Sequence, residues 1–104
     1  MEHLKKAHYD LDELKGLIRN PETCIITSTS RQTASELGYV TYEEIIELVL
    51  KIERSDIYKT MTMNYDHRLW QDVYRPVFDG VECYVKLQKS HDGKGVVISF
   101  KRSE

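Results

Sequence analysis

Apolar positions follow a helical period through the first half of the chain and a two-residue period through the second. Leu11, Leu14, Leu17 and Ile18 recur as one face of a helix. Asp10 stands before them as an N-cap, and Glu13 is placed to complete a capping box. Asn20-Pro21 ends that helix, because the residue before a proline disfavours the α region. Cys24-Ile25-Ile26 is a short β-prone run. Thr27 to Ser30 offers several N-caps for a short helix ending near Gly38. Thr41 opens the clearest helix, with Glu44 completing a capping box. Ile45, Ile46, Val49, Leu50 and Ile52 line one side of it; Glu43, Glu44, Glu47 and Lys51 lie mostly on the other. Such a stripe predicts a core-facing helix rather than one that docks a partner.

From Ser55 onward the pattern alternates. Ile57, Lys59, Met61 and Met63 form one set, and Tyr58, Thr60 and Thr62 the other. Leu69 to Arg75 reads as a second strand stopped by Pro76. Asp79-Gly80 is a turn signal. Val81, Cys83, Val85 and Leu87 then alternate with Glu82, Tyr84, Lys86 and Gln88. After a turn at His91 to Gly95, Val96, Ile98 and Phe100 are expected to face the core, with Val97, Ser99 and Lys101 facing away. Helices followed by consecutive strands predict an α+β fold, one domain over residues 1–104. The N-terminal helices should pack on one face of a mainly antiparallel, twisted sheet.

Composition narrows the class without naming a function. The 104 residues are 40% apolar and 31% charged, which suits a soluble globular domain. No apolar run approaches a membrane span, and Met1 to Lys6 is too charged to lead a signal peptide. A cytoplasmic location is therefore expected. Cys24 and Cys83 are isolated and read as reduced core residues. No His, Cys, Asp and Glu arrangement has metal-ligand spacing, so neither a metal nor another cofactor is expected. Residues 1–54 carry 7 basic and 10 acidic side chains, and residues 55–104 carry 8 and 7. Neither half is a basic block, so nucleic-acid binding must rest on a local site.

Such a site is offered by the outward set of the strands. Tyr84 and Lys86 share one face of a strand, and Gln71 and Arg75 share a face of its neighbour. Cations, amides and phenols together can grip a phosphodiester and stack on bases. The plain alternative is a solvated outer face with snorkelling lysines.

Two stretches, Ser55 to Thr62 and Asp66 to Pro76 with its Trp70-Gln71-Asp72-Val73-Tyr74-Arg75-Pro76 run, closely resemble the MqsR family, toxins of type II toxin–antitoxin modules. Val81 to Lys86 and Val97 to Lys101 also fit. The resemblance covers roughly the last half of the chain; the first half matches in helical outline and in Glu36-Leu37-Gly38. It implies a RelE-like α+β fold and a ribosome-independent endoribonuclease acting on mRNA near GC-containing sites. It implies a cognate MqsA-like antitoxin, with a zinc-binding domain and a helix-turn-helix domain. DNA would be contacted only through that partner. The family's proposed active-site Lys, Gln and Tyr fall on Lys59, Gln71 and Tyr84, and its Met and Arg on Met61 and Arg75.

Metal-free RNA cleavage needs a base for the 2′-hydroxyl, positive charge for the phosphate and an acid for the leaving oxygen. Lys59, Arg75 and Lys86 can supply the charge, with Lys59 a possible proton donor. Tyr84 is the acid/base candidate if neighbouring cations lower its pKa from about 10. Gln71 can only orient. His67 and His91 read as turn residues rather than bases. Trp70 is expected to anchor the core, Met61 to line the core or the pocket, and Tyr58, Tyr65 and Tyr74 to pack or to stack on RNA. The rival class is a non-catalytic RNA- or protein-binding module on the same fold. A third reading is a regulator acting only with its antitoxin.

Overall fold

The computed structural model describes residues 3–4, 6–63, 66 and 68–103. Helix α1 (Leu11–Arg19) buries Leu11, Leu14 and Ile18 and is capped by the Asp10 side chain, which accepts from the Asp12 N–H. Glu13 does not join that cap; its carboxylate takes Lys89 Nζ at 3.3 Å instead. Strand β2 (Cys24–Ile26) leads into α2 (Ser28–Glu36), capped by Thr27. Gly38 follows at φ +97, the left-handed geometry that ends helices most cheaply with glycine. Helix α3 (Tyr42–Leu50) begins with the reciprocal Thr41–Glu44 capping box. Ile45, Val49 and Ile52 from this segment are fully buried, whereas Ile46 and Leu50 are only partly covered.

A 3₁₀ turn (Arg54–Asp56) delays the first long strand to β3 (Ile57–Thr62). Then come β4 (Trp70–Tyr74), β5 (Val77–Phe78), β6 (Val81–Lys89) and β7 (Gly95–Arg102). With β1 (His3–Leu4) at one edge, the sheet order is β1-β3-β4-β6-β7-β2, and β5 pairs with β6. All pairings are antiparallel except β2 with β7. The fold is α+β, as the pattern predicts. The core gathers Leu14, Ile18, Ile45, Val49, Val85, Leu87, Val97 and Phe100, among others, on the helix side of the sheet.

Two bulges change the expected facing of side chains. In β3 the register shifts between Ile57 and Lys59. Ile57 therefore packs on the core, while Lys59 and Met61 turn outward and Thr60 and Thr62 are buried. In β7 the pairing passes from Lys86↔Ser99 to Leu87↔Val97. The extra residue reverses the phase, so Val97 and Phe100 are both fully buried and Ile98 is only partly so. The expectation of Val96, Ile98 and Phe100 as one inward set is corrected on this point. Trp70 is corrected too. It lies outside the main core, half-buried, with the His8 ring stacked on it at 4.8 Å.

Two contacts fix helices and strap to the sheet. A Cβ on Gly95 would sit 2.8 Å from Leu17 Cβ and 3.1 Å from Ile18 N, so only glycine lets α1 approach the start of β7 this closely. Asp72, fully buried in β4, accepts from the His8 N–H at 3.0 Å, the Tyr9 N–H at 2.9 Å and the Thr60 hydroxyl. This carboxylate ties the segment before α1 across β4.

Tyr74 is fully buried, and its hydroxyl has no hydrogen-bond partner among the described residues. Burial pushes the phenol well above its ordinary value, and Asp72 adds to the effect. In the unfolded chain it ionises near pH ~10, below its folded value. The unfolded state therefore loses its proton first, and stability present below about pH 10 is lost as pH rises through that window. Tyr74→Phe is expected to flatten this loss in denaturant titrations between about pH 8 and about pH 11. Equal alkaline slopes for parent and variant would refute the assignment.

Candidate nucleic-acid interface

The face of the sheet away from the helices carries the outward set in rows. Lys59, Val73, Lys86 and Ser99 pair successively across β3, β4, β6 and β7. One step along, Tyr84 pairs with Lys101, and Arg75 lies beside Tyr84, following the Tyr74↔Val85 pair. In the other direction Gln71 pairs with Met61. The β3 bulge leaves Tyr58 leaning over this face, with the Arg75 guanidinium 3.9 Å from its ring centroid and Lys59 Nζ at 5.5 Å. Tyr84 is flanked likewise, by Lys101 Nζ at 5.1 Å and Lys86 Nζ at 5.9 Å.

Tyr58, Lys59, Arg75, Tyr84, Lys101 and Arg102 line a shallow hollow of about 230 Å³. That space suits a phosphate and its sugar better than a large organic ligand. Burial pushes the Tyr84 phenol up, Tyr58 adds to this, and Arg75 only partly offsets it. The lowered phenol pKa that a base would need is absent, so Tyr84 is a protonated donor at neutral pH. Lys86 moves the other way. Burial lowers its pKa, and the neighbouring charges of Lys59 and Lys101 lower it further. Among the described residues Arg75 Nε has no hydrogen-bond partner; it lies 3.6 Å from Glu82 Oε1, so the guanidinium is partly balanced by that carboxylate.

Lys59, Arg75, Tyr84 and Lys86 are thus brought together, with Met61 one row beyond. Gln71 is not in the hollow. It stands four residues along β4 from Arg75, a separation of roughly 13 Å at strand spacing. Its side chain is buried and donates through Nε2 to Gln88 Oε1 at 2.9 Å. Sequence reasoning missed Lys101, Tyr58 and Gln88 as neighbours of these groups. The alternation already put Lys101 and Gln88 on the outward face; only the bulge hid Tyr58.

An open sheet face with this set of side chains is uncommon enough to ask which proteins share it. Residues 6–102 match the model of a family described as motility quorum-sensing regulator, toxin of MqsA. This chain belongs to the MqsR toxin family. The mRNA interferase toxin MqsR of Escherichia coli (strain K12) is 34% identical over 97 residues, covering 93% of this chain and 95% of that protein.

Other features of this MqsR-family chain lie away from the hollow. His91 is exposed, with Nε2 3.7 Å from Asp66 Oδ2, in a loop where Arg68 already pairs with the same carboxylate. His67 and Tyr65 lie outside the described residues. Cys83 is buried in the core and Cys24 partly so, and burial pushes both thiols up, away from the thiolate form. A larger cleft, about 530 Å³, lies between β2 and α3 and is lined by Pro21, Cys24, Ile25, Ile26, Tyr42, Glu43 and Ile46. It offers a carboxylate and no cation, so it is no place for a phosphate. Among the described residues no group of three or more His, Cys, Asp or Glu side chains is placed to hold a metal ion. Nor is any helix there long and apolar enough to cross a membrane.

Proposed function

We propose that this protein is the toxin of a type II toxin–antitoxin pair and cuts mRNA as a ribosome-independent, metal-independent endoribonuclease. One observation carries the reading: Lys59, Arg75, Lys86 and Lys101 converge around the half-buried phenols of Tyr58 and Tyr84, in a chain of a toxin family. The substrate's 2′-hydroxyl attacks the adjacent phosphorus, and the bond from phosphorus to the 5′-oxygen breaks. A 2′,3′-cyclic phosphate and a 5′-hydroxyl remain. Lys59, Arg75 and Lys101 hold the phosphate and offset its growing charge. Burial and the neighbouring charges make Lys86 give up its proton more readily than an ordinary lysine, so its neutral form takes the 2′-hydroxyl proton. Tyr84, kept protonated, donates to the departing 5′-oxygen. Gln71 orients the nucleotide beside the scissile phosphate.

The preferred sites contain GC, the location is cytoplasmic, and an MqsA-like antitoxin, with zinc-binding and helix-turn-helix domains, holds the activity off and makes any DNA contact. The family's description as the toxin of MqsA supports the partner. The test is incubation with a ribosome-free, GC-containing RNA in excess chelator, with the ends mapped. Cuts leaving cyclic-phosphate ends are expected. Clean protein that binds RNA or antitoxin without cutting would replace this reading with a non-catalytic binding module.

A further inference from the structure

A second hollow, of about 250 Å³, adjoins the first at the end of β7. Thr33, Glu36, Leu37, Lys101 and Arg102 line it, and Lys101 and Arg102 line the first hollow as well. Strand pairing explains how one strand end serves both. Lys101 pairs with Tyr84 of the open face, and Arg102 with Cys83 of the core side. Past Val97 the edge of β7 is covered by α2 and its cap rather than by β2. The Thr27 hydroxyl donates to Ile98 O at 3.1 Å, and the Thr33 hydroxyl to Phe100 O at 2.6 Å. Thr33 thus faces β7. Residues three and four further along a helix lie on the same face, which brings Glu36 and Leu37 over the end of the strand.

Glu36 puts a carboxylate in a space that two cations also line. Among the described residues it makes no hydrogen bond and no ion pair. An ionised carboxylate only accepts hydrogen bonds. It would repel a phosphate, so the RNA backbone belongs in the first hollow, with Lys59, Arg75 and Lys101. A group rich in donors is what the carboxylate can hold. Of the four bases, guanine alone sets two donors side by side on its pairing edge, the N1–H and the N2 amino group. Adenine and cytosine offer one amino group beside an acceptor, and uracil one N–H between two acceptors. Two parallel bonds to a carboxylate therefore separate an unpaired guanine from the other three. Leu37 supplies an apolar wall for the ring, and the planar guanidinium of Arg102 can lie flat against it.

We infer that Glu36 is a guanine-reading residue: its carboxylate accepts from the N1–H and N2–H of one unpaired guanine in the second hollow, while the adjoining phosphate sits in the first. This rests on the nuclease reading above and narrows it to one base at one position. Glu36 touches a base and no reacting atom, so it selects the substrate and takes no part in the cleavage step. Its side chain is exposed at the end of α2, and replacing it leaves the core intact.

The experiment uses a short, ribosome-free, GC-containing RNA whose guanines are replaced one at a time by inosine or adenine. Inosine is guanine without the N2 amino group. Parent and Glu36→Gln are compared by kcat/KM on each RNA, with the ends mapped. In the parent, inosine at one position near the cut should slow cleavage about tenfold, and adenine there should slow it more. The amide of Glu36→Gln donates as well as accepts. It can pair with the N1–H and O6 of guanine or inosine, and with the N6–H and N1 of adenine. Both ratios should therefore fall toward one in the variant, whatever its lost charge does to all the RNAs alike. A selective parent whose ratios survive in Glu36→Gln overturns this inference alone. So does a parent that cuts every inosine RNA as fast as the guanine RNA. A Glu36→Gln variant, folded by thermal melting, that cuts nothing would overturn it too, by placing the carboxylate in the cleavage step. A parent that cuts none of the RNAs overturns the nuclease reading, and this inference with it.

Discussion

Cleavage by a Lys86→Ala variant is expected to fall by about 10²- to 10⁴-fold, the usual range for losing a positioned proton-transfer group. Lys86→Arg is the sharper test. Arginine restores the positive charge but holds its proton above pH ~12. If Lys86 only attracts phosphate, the arginine variant should recover most of the activity. If it accepts the 2′-hydroxyl proton, Lys86→Arg should stay nearly as slow as Lys86→Ala. The pH dependence separates the two roles a second time. Because burial, Lys59 and Lys101 lower the Lys86 pKa, its neutral fraction grows as pH rises above neutrality. The parent's rate should climb from about pH 7 to about pH 9 and that of Lys86→Arg should not. Full activity in Lys86→Arg would assign Lys86 to charge alone and move the base elsewhere.

The second large effect concerns folding rather than chemistry. Asp72→Ala should cost about 3 kcal/mol, read from denaturant midpoints. The substitution leaves the amides of His8 and Tyr9 and the hydroxyl of Thr60 without their acceptor in a covered site. Each unsatisfied buried donor costs on the order of 1–3 kcal/mol, and the two amides, being only part-buried, recover some of this from water. Asp72→Asn keeps an acceptor oxygen and should lose less. Hydrogen exchange at the His8 and Tyr9 amides should quicken in both variants. A midpoint within experimental error of the parent would show that the segment before α1 is held by other contacts.

Much of this arrangement was legible in the sequence because it depends on near neighbours. The Thr41–Glu44 capping box, the Asn20-Pro21 stop and the Asp79-Gly80 turn each need only a few adjacent residues. The alternation of β6 is likewise local, and it gave the outward Tyr84 and Lys86 directly. What could not be read depends on residues far apart. Bulges at Tyr58 and in β7 are set by how paired strands accommodate each other, and each reverses the phase that strict alternation predicts. Alternation with Gln71 turns Asp72 inward, but the partners that let a carboxylate be buried there are amides more than 60 residues away. Trp70 looks like a core anchor, but His8 covers it from outside the main core. Sharing an outward face fixes direction and not distance: the register sets Gln71 one row from Lys59 on one side and Tyr84 one row from Lys86 on the other.

Strand β7 comes last of the described strands in chain order, yet it lies inside the sheet, between β6 and β2. Thr27, just past β2, bonds Ile98 across 71 residues. While the chain is being synthesised, β2 has no strand to lie against, Val97 and Phe100 are missing from beneath the helices, and Lys101 is missing beside Tyr84. Contacts so distant in sequence form late. During synthesis the sheet therefore stays unfinished, and the cation cluster around Tyr84 incomplete, until β7 is available to fill its place.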